Sequence, residues 1–436
     1  MSDLNTNIVV IGGGQAASQV CISLRAMGHR GRITLVSEEP LLPYCRPPLS
    51  KQYLVADRTP DWLLYRPTAF YAKQAIDVRL GCRAESIDRG RQEVLLGNGE
   101  RLPYDGLALA LGSRVRRMSV PGADANHVCY IRNLADVSTL RQRLLSARRV
   151  VIVGGGFIGL EVAAVLLKTG RDVTLLASGA SVLPRAGVGI VGAFVQAYHQ
   201  AQGVRVLTNS EVVHLRPRAD GGADVHCADG SVHAADLVIA GIGIVPNTEL
   251  AQTAGLDCDD GIQVDEYCRS SDARIVAAGD CTRHPNALAG RTVRLETVHN
   301  AVEQAKTAAA TLACRAQPYR QAPWVWSDQY NLRLQSVGLW QDHDEWVLRG
   351  RVDDGQFSVY YFRAGQFIAM EGVNRPAEFG TSRRLLNEGI GLTPAQAADQ
   401  RFDLQRLLPS KRRLVFEQPW PALRLTSSDR LGFVPP

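Results

Sequence analysis

The stretch NIVVIGGGQAASQVCISLRAMG, residues 7–28, decides how the rest of the chain is read. Four β-branched residues, Ile8 to Ile11, make a strand that is apolar on both faces, and it runs straight into three glycines. Beyond them the apolar positions recur at helical spacing as far as Gly28. RITLVSEE, residues 32–39, then supplies a second short strand with an acid, Glu38, at its end. Strand, glycine turn, helix, strand and acid together make a dinucleotide-binding fingerprint. Gly12 forms the tight turn, Gly14 lets the backbone approach a pyrophosphate, and the small Ala17 permits close helix packing. The helix start then offers free N–H groups and the positive end of its dipole to phosphate.

The unit recurs in RRVVIVGGGFIGLEVAAVLLKTG, residues 148–170, with Gly154, Gly156 and Gly159, followed by the strand DVTLLAS at 172–178. Two units imply two dinucleotides. The best-known pairing on one chain is a flavin in the first unit and a nicotinamide nucleotide in the second; a duplicated nicotinamide-only fold is the other reading. YDGLALALGS (104–113) and ADLVIAGIGIVPNTEL (235–250) each read as a buried strand ending in glycine. ARIVAAGDCTRH (273–284) is an apolar strand stopped by Gly279-Asp280, where a carboxylate can accept hydroxyl bonds from a sugar-like chain or simply cap a helix. From about Ala322 the texture becomes β-rich, five of the six tryptophans follow, and PAEFGTSRRLLNEG (376–389) reads as a helix. That is a third, mixed α/β domain with a mainly antiparallel sheet and a basic tail from about residue 411.

At 436 residues, 45% hydrophobic and 21% charged, the chain can bury several cores and is not a disordered protein. The net charge of +6 suits an acidic partner or a phosphate-rich cofactor but, spread over this length, is too weak to indicate nucleic acid. The closest of the nine cysteines, Cys258 and Cys268, are ten residues apart, so no zinc or redox pair pattern is present and no iron–sulfur ligand set either. Reduced thiols and a cytoplasmic location are expected. The start MSDLNTN lacks the basic-then-apolar order of a signal peptide, and the longest apolar run, Val150 to Leu167, is interrupted by glycines and Glu161, so no membrane span is expected.

RPPLSKQYL (46–54), GGGFIGLEVA (154–163), DLVIAGIGIVPN (236–247), AAGDC (277–281), LETVHNAVEQA (295–305), PWVWSDQY (323–330) and VNRPAEF (373–379) follow in that order. On these segments the chain resembles the flavoprotein ferredoxin reductases of oxygenase systems, the group of putidaredoxin reductase, rubredoxin reductase and biphenyl-dioxygenase ferredoxin reductase. The resemblance implies an α/β fold of two Rossmann-like dinucleotide-binding domains, glutathione-reductase-like, plus a C-terminal mixed α/β domain. It divides the chain into an FAD-binding domain in two segments (1–115 and 243–321), an NAD(P)H-binding domain between them (116–242), and a domain covering the flavin (322–436). The implied activity is FAD-dependent NAD(P)H:ferredoxin oxidoreduction. The implied partner is a small acidic [2Fe-2S] ferredoxin that serves a cytochrome P450 or a ring-hydroxylating dioxygenase.

Carried over residue by residue, the resemblance puts Ala16 with Gly12, Gly14 and Ala17 at the FAD pyrophosphate and Glu38 at the adenosine ribose. Arg46 and Lys51 face the cofactor, with Lys51 close to flavin N5. Ala84 falls near the adenine, Arg132 near the phosphates or flavin, Gly279 and Asp280 at the ribityl chain, and Val298 beside the isoalloxazine. Gly154, Gly156 and Gly159 take the nicotinamide nucleotide. Glu161 can approach Lys51, and Glu296 and Trp326 lie around flavin and nicotinamide. Cys45 is offset by about two residues from Pro47, where peroxidase-type relatives carry their single redox cysteine, and reads as a loop thiol. His299 reads as a packing or surface histidine.

Two positions depart from the family pattern. Ala177 stands where NADH-preferring relatives carry the ribose-binding acid, which leaves NADPH open as a donor beside the favoured NADH; Arg185 is a family-like position and no replacement. Leu111 stands where threonine is usual. Arg114, Arg116 and Arg117, or Arg383 and Arg384, could steer an acidic ferredoxin. The alternatives are a reductase acting directly on oxygen, a quinone or monodehydroascorbate, and an apoptosis-inducing-factor-like protein whose flavin is structural.

Overall fold

The computed structural model describes residues 4–123, 128–184 and 187–409, so Arg185 and the tail from Lys411 lie outside the described residues. The first glycine-turn strand, Ile8–Ile11, is central in a five-stranded parallel sheet of order Ile275–Ala277, Gly106–Leu109, Ile8–Ile11, Ile33–Val36 and Ile76–Arg79. Every residue of the strands at 8–11, 33–36 and 106–109 is buried, as continuous apolar runs in a sheet covered on both faces require. One face carries the helix Gln15–Ala26 packed on Val298–Leu312, where Ala17, Val20 and Leu24 meet Ala301, Ala305, Ala308 and Ala309. The alanines let two backbones approach closely. The other face carries a three-stranded antiparallel meander, Ala84–Asp88, Glu93–Leu96 and Arg101–Pro103.

The second unit repeats the plan. Its parallel sheet runs Arg205–Leu207, Asp172–Leu176, Arg149–Val153, Leu237–Ala240 and Val128–Cys129. The helices Leu134–Leu144, Phe157–Lys168 and Ile190–Gln202 cover one face, and the meander Val212–Pro217, Ala223–Cys227 and Val232–Ala235 covers the other. Where the chain leaves the first sheet, Ser113–Val115, it lies antiparallel to Ile244–Pro246, where it returns.

The third unit is a five-stranded antiparallel sheet of order Trp324–Gln329, Leu332–Gly338, Gln366–Val373, Gln356–Arg363 and Glu345–Arg351. Successive residues of Gln356–Arg363 serve opposite faces, as the pleat demands. Phe357, Val359 and Tyr361 pack toward the second unit, while Tyr360 and Phe362 pack under the helix Pro376–Glu388. The buried Arg349 guanidinium ties that sheet to the segment after the helix, pairing with Glu378 and donating to the carbonyls of Ala397, Asp399, Gln400 and Phe402. Among the described residues no helix is long and apolar enough to cross a membrane.

Candidate active site

The two glycine turns are built alike. Gly12 has φ +137°, and a Cβ there would stand 2.1 Å from the carbonyl oxygen of Ala110; Gly154 has φ +115°, with Gly241 O at 2.3 Å from the same imaginary atom. Only glycine fits either turn. At Gly14 and Gly156, by contrast, a Cβ would meet nothing within 4 Å, and no side chain caps either following helix. An unshielded helix start behind open space fits a dinucleotide pyrophosphate. Ala16 and Ala17 are buried in the first turn of their helix, and a Cβ at Gly159 would stand 2.1 Å from Gly154 O. Phe157 and Ile158 form an exposed apolar rim beside the second turn.

The strand after each turn is held in matching register. Gly12 N donates to Val36 O and Gly154 N to Leu176 O; Ser37 N donates to Arg79 O and Ala177 N to Leu207 O; the carbonyls of Ser37 and Ala177 accept from Cys82 N and Ser210 N. Ser37 therefore corresponds to Ala177, and Glu38 to Ser178, so neither slot carries an acid in the second unit. Ala177 Cβ lies 3.0 Å from where a Cβ on Gly155 would stand, so its side chain faces the glycine turn. Glu38 is largely exposed, with Arg83 at 3.4 Å. Ala84 opens the first meander strand.

Lys51 sits between a short 3-10 turn (Pro47–Ser50) and the helical turn Gln52–Val55. Its ammonium lies 2.8 Å from Glu161 Oε1, and the carboxylate is 3% exposed on the second glycine-turn helix. The sequence left that contact open. Glu161 also accepts hydrogen bonds from Ser50 Oγ and, at 2.6 Å, from Ser327 Oγ. One carboxylate thus gathers a lysine and a serine from the first unit and a serine from the C-terminal sheet. A buried charge is tolerable only when paired and hydrogen-bonded in this way. Arg141 holds the Lys51 segment from behind, donating to the carbonyls of Tyr53, Leu54 and Ala56.

Asp280 follows the strand Ile275–Ala277, and its Oδ2 accepts from Ser113 Oγ at 2.8 Å and from Arg132 at 3.2 Å. The turn before it is locked by Gln304, whose Oε1 accepts from Gly279 N, Thr282 Oγ1 and Asn300 Nδ2. Arg46 pairs with Glu39 and donates to Tyr44 Oη and Arg132 O, which joins the Lys51 loop to the Asp280 cluster. Glu296 pairs with Arg294, and Val298 begins a helix capped by Thr297. Trp326 packs on Trp324 with ring centres 5.4 Å apart, and Trp324 in turn meets His299 and Phe379. His299 is thus a packing residue, and burial, with Arg383 and Lys306 nearby, pulls its pKa down to about 4.

Burial pushes the Cys45 thiol above its ordinary value, outweighing the opposing pull of Tyr65 and Lys51, so it stays protonated rather than nucleophilic. All nine cysteines are free thiols. Of the candidate steering arginines, Arg114 is matched by Glu249 at 2.7 Å and Arg384 by Glu388 at 3.0 Å, while Arg383 lies over the Trp324 ring. Arg116 and Arg117 are exposed, the latter over Tyr130. Sequence reasoning missed Ser50, Ser327, Gln304, Glu39 and Gln329. Ser50 lies beside Lys51 in RPPLSKQYL and Ser327 beside Trp326 in PWVWSDQY, which also holds Gln329; Gln304 lies in LETVHNAVEQA.

The pyridine nucleotide-disulphide oxidoreductase model matches residues 6–305, and the reductase C-terminal model matches residues 324–408. Putidaredoxin reductase of Pseudomonas putida is 40% identical over 409 residues, covering 93% of this chain and 97% of that protein. The ferredoxin–NAD(+) reductase component of the anthranilate 1,2-dioxygenase system of Burkholderia cepacia is 42% identical, covering 92% of this chain and 98% of that one. The reductase in the crystal structure of the covalent putidaredoxin reductase–putidaredoxin complex superposes with a TM-score of 0.89 at 40% identity, covering 92% of this chain and 98% of its own. With both models matched in order and relatives aligned almost end to end, the chain belongs to the pyridine nucleotide-disulphide oxidoreductase family and, within it, to the putidaredoxin-reductase group.

Proposed function

We propose that this protein takes hydride from NADH and delivers electrons singly to a separate [2Fe-2S] ferredoxin, which serves a cytochrome P450 or a ring-hydroxylating dioxygenase. The observation that carries the reading is the Lys51–Glu161 pair, which joins a loop of the first unit to the second glycine-turn helix and whose carboxylate also accepts from Ser327. FAD, when bound, supplies the change from two-electron to one-electron chemistry. The open turn at Gly14 and the carboxylate of Asp280, whose Oδ2 accepts hydrogen bonds from Ser113 and Arg132, fit its pyrophosphate and its ribityl hydroxyls. Glu38 accepts from the adenosine ribose, with Ala84 by the adenine and Val298 by the ring system. Arg46 and Arg132 brace that wall. Lys51 provides a cation where negative charge develops on hydride arrival, and Glu161 keeps it oriented. Glu296 and Trp326 lie around the flavin and nicotinamide, with Trp326 shielding the edge from which electrons leave.

Gly154, Gly156 and Gly159 hold the nicotinamide nucleotide. With neither Ala177 nor Ser178 acidic, NADH is favoured only weakly and NADPH is open as a second donor. The segments 1–115 and 243–321 act as one FAD-binding unit, 116–242 as the NAD(P)H unit and 322–436 as the cover. Nine free thiols support a cytoplasmic setting. The test is NADH-driven cytochrome c reduction with and without a [2Fe-2S] ferredoxin, with oxygen uptake recorded in parallel. A rate that depends on ferredoxin with little oxygen consumed is expected; rapid ferredoxin-independent reduction of oxygen or a quinone would refute the proposal.

A further inference from the structure

The carboxylate of Glu161 is the end of a longer polar chain. Ser327 Oγ lies 2.6 Å from Glu161 Oε1, Gln329 Nε2 lies 3.0 Å from Ser327 Oγ, and Gln329 Oε1 lies 2.8 Å from His199 Nε2. His199 Nδ1 has Tyr330 Oη at 3.4 Å. Ser327, Gln329 and His199 are all buried, His199 and Ser327 completely. The pleat of Trp324–Gln329 turns Ser327 and Gln329 to one face and Trp324 and Trp326 to the other. One strand thereby serves the carboxylate and the tryptophan cluster separately.

The direction of every hydrogen in the chain is determined. At 2.6 Å a hydroxyl oxygen and a carboxylate oxygen need a proton between them, and Glu161 is already matched by the Lys51 ammonium, so Ser327 donates to Glu161. Its oxygen must then accept from its other neighbour, which requires the NH₂ of Gln329 on that side and its carbonyl oxygen toward His199. The carbonyl only accepts, so His199 carries its hydrogen on Nε2 and leaves Nδ1 to receive the Tyr330 hydroxyl. Burial lowers the His199 pKa against the opposing pull of Gln329, consistent with a neutral ring. An unpartnered serine hydroxyl could rotate away from Glu161; this one cannot.

We infer that His199 and Gln329 are positioning residues, which lock Ser327 as a donor to Glu161 and so fix the Glu161–Lys51 pair, whose lysine supplies the cation beside the negative charge that hydride transfer develops. His199 lies on the helix Ile190–Gln202 of the second unit, so the lock joins the nicotinamide side, the Lys51 loop and the C-terminal sheet at one carboxylate. The consequence for hydride transfer rests on the proposed function; the hydrogen directions do not.

Two measurements on the full-length FAD-loaded protein test this. In stopped-flow reduction of the flavin by NADH, Ser327→Ala and Gln329→Leu should each lower the limiting rate about 10-fold with the apparent Kd for NADH unchanged. Ser327→Thr should restore the rate to within about twofold, and the double variant should be no slower than Ser327→Ala alone, since both act through one hydroxyl. Nitrogen-15 NMR of the histidine rings, with His199 assigned by its loss in His199→Asn, should show hydrogen on Nε2 in the parent and in Ser327→Ala, and should lose that preference in Gln329→Leu. Variants that lose thermal stability while keeping the parent's limiting rate, or a parent His199 with its hydrogen on Nδ1, would overturn the inference. If the parent flavin is not reduced by NADH, the functional reading fails instead, and the ring tautomer still decides the hydrogen directions.

Discussion

Replacing Ser178, the counterpart of Glu38, by glutamate should commit the proposed reductase, of weak nucleotide preference, to NADH. Ser178 is exposed and directly follows Ala177, whose N–H and carbonyl are fixed by bonds to Leu207 and Ser210. A glutamate therefore extends from a fixed origin toward the adenosine ribose. Two carboxylate bonds to ribose hydroxyls contribute about 1.5–3 kcal/mol each at the upper end, and competition with water in an open cleft reduces the net gain to roughly 1–2 kcal/mol. That is about 5- to 30-fold in kcat/KM for NADH. The 2′-phosphate of NADPH would instead face a like charge; at about 4 Å and an effective dielectric near 20 that costs about 4 kcal/mol per charge pair, and solvent screening leaves about 2. The two effects together move the NADH/NADPH ratio by on the order of 10²- to 10³-fold. Initial rates with each nucleotide and saturating ferricyanide measure it. A parent enzyme that already prefers NADH by more than about 100-fold, or a variant whose ratio moves less than about threefold, would refute the reasoning.

Lys51→Met should leave NADH affinity nearly unchanged and slow flavin reduction by about 10²-fold, read by stopped-flow absorbance, because it removes the cation and nothing else that binds nucleotide. Glu161→Ala strands a lysine and two hydroxyls in a site where Lys51 is only 14% exposed, so it should cost about 3 kcal/mol, seen as a lower urea midpoint. His284 is 1% exposed and burial lowers its pKa to about 4. Its unfolded form binds a proton below about pH 6.5 while the folded form does not until about pH 4, so stability should fall as pH drops through that window. His284→Leu should flatten the decline in urea midpoint between pH 7 and pH 5; an unchanged slope would show that the histidine does not cause it. Ala305→Leu, at the alanine contact between the two helices of the first unit, should lower the urea midpoint by the equivalent of about 1–3 kcal/mol through overpacking.

Both glycine turns, the strands flanking them, the β-rich third unit and its helix were legible because each is specified locally. A four-residue run such as Ile8–Ile11 buries on both faces whatever follows it, and Gly12 and Gly154 stand where no other residue fits. The site was half legible. Lys51 and Glu161 were named from motifs, but the bond between them spans 110 residues of chain, and no pattern in either neighbourhood encodes a partner that distant. Ser50, Ser327 and Gln329 were invisible for the same reason: a serine in a loop and a glutamine in an edge strand look like solvated residues until the units fold onto one another. The acid slot of the second unit shows the limit from the other side. Ala177 was singled out as the position of the missing acid, yet the paired backbone bonds show that Glu38 of the first unit corresponds to Ser178.

The antiparallel contact between Ser113–Val115 and Ile244–Pro246 has a consequence for ancestry. A chain that departs and returns at neighbouring points can have everything between them lifted out or exchanged without rerouting the remainder. The second unit of this protein is thus framed as a cassette, and its plan, sheet, helices and meander alike, repeats that of its host. Duplication of an ancestral fold into its own loop would leave such a doorway behind, and a donor specificity could be acquired by replacing what lies inside it.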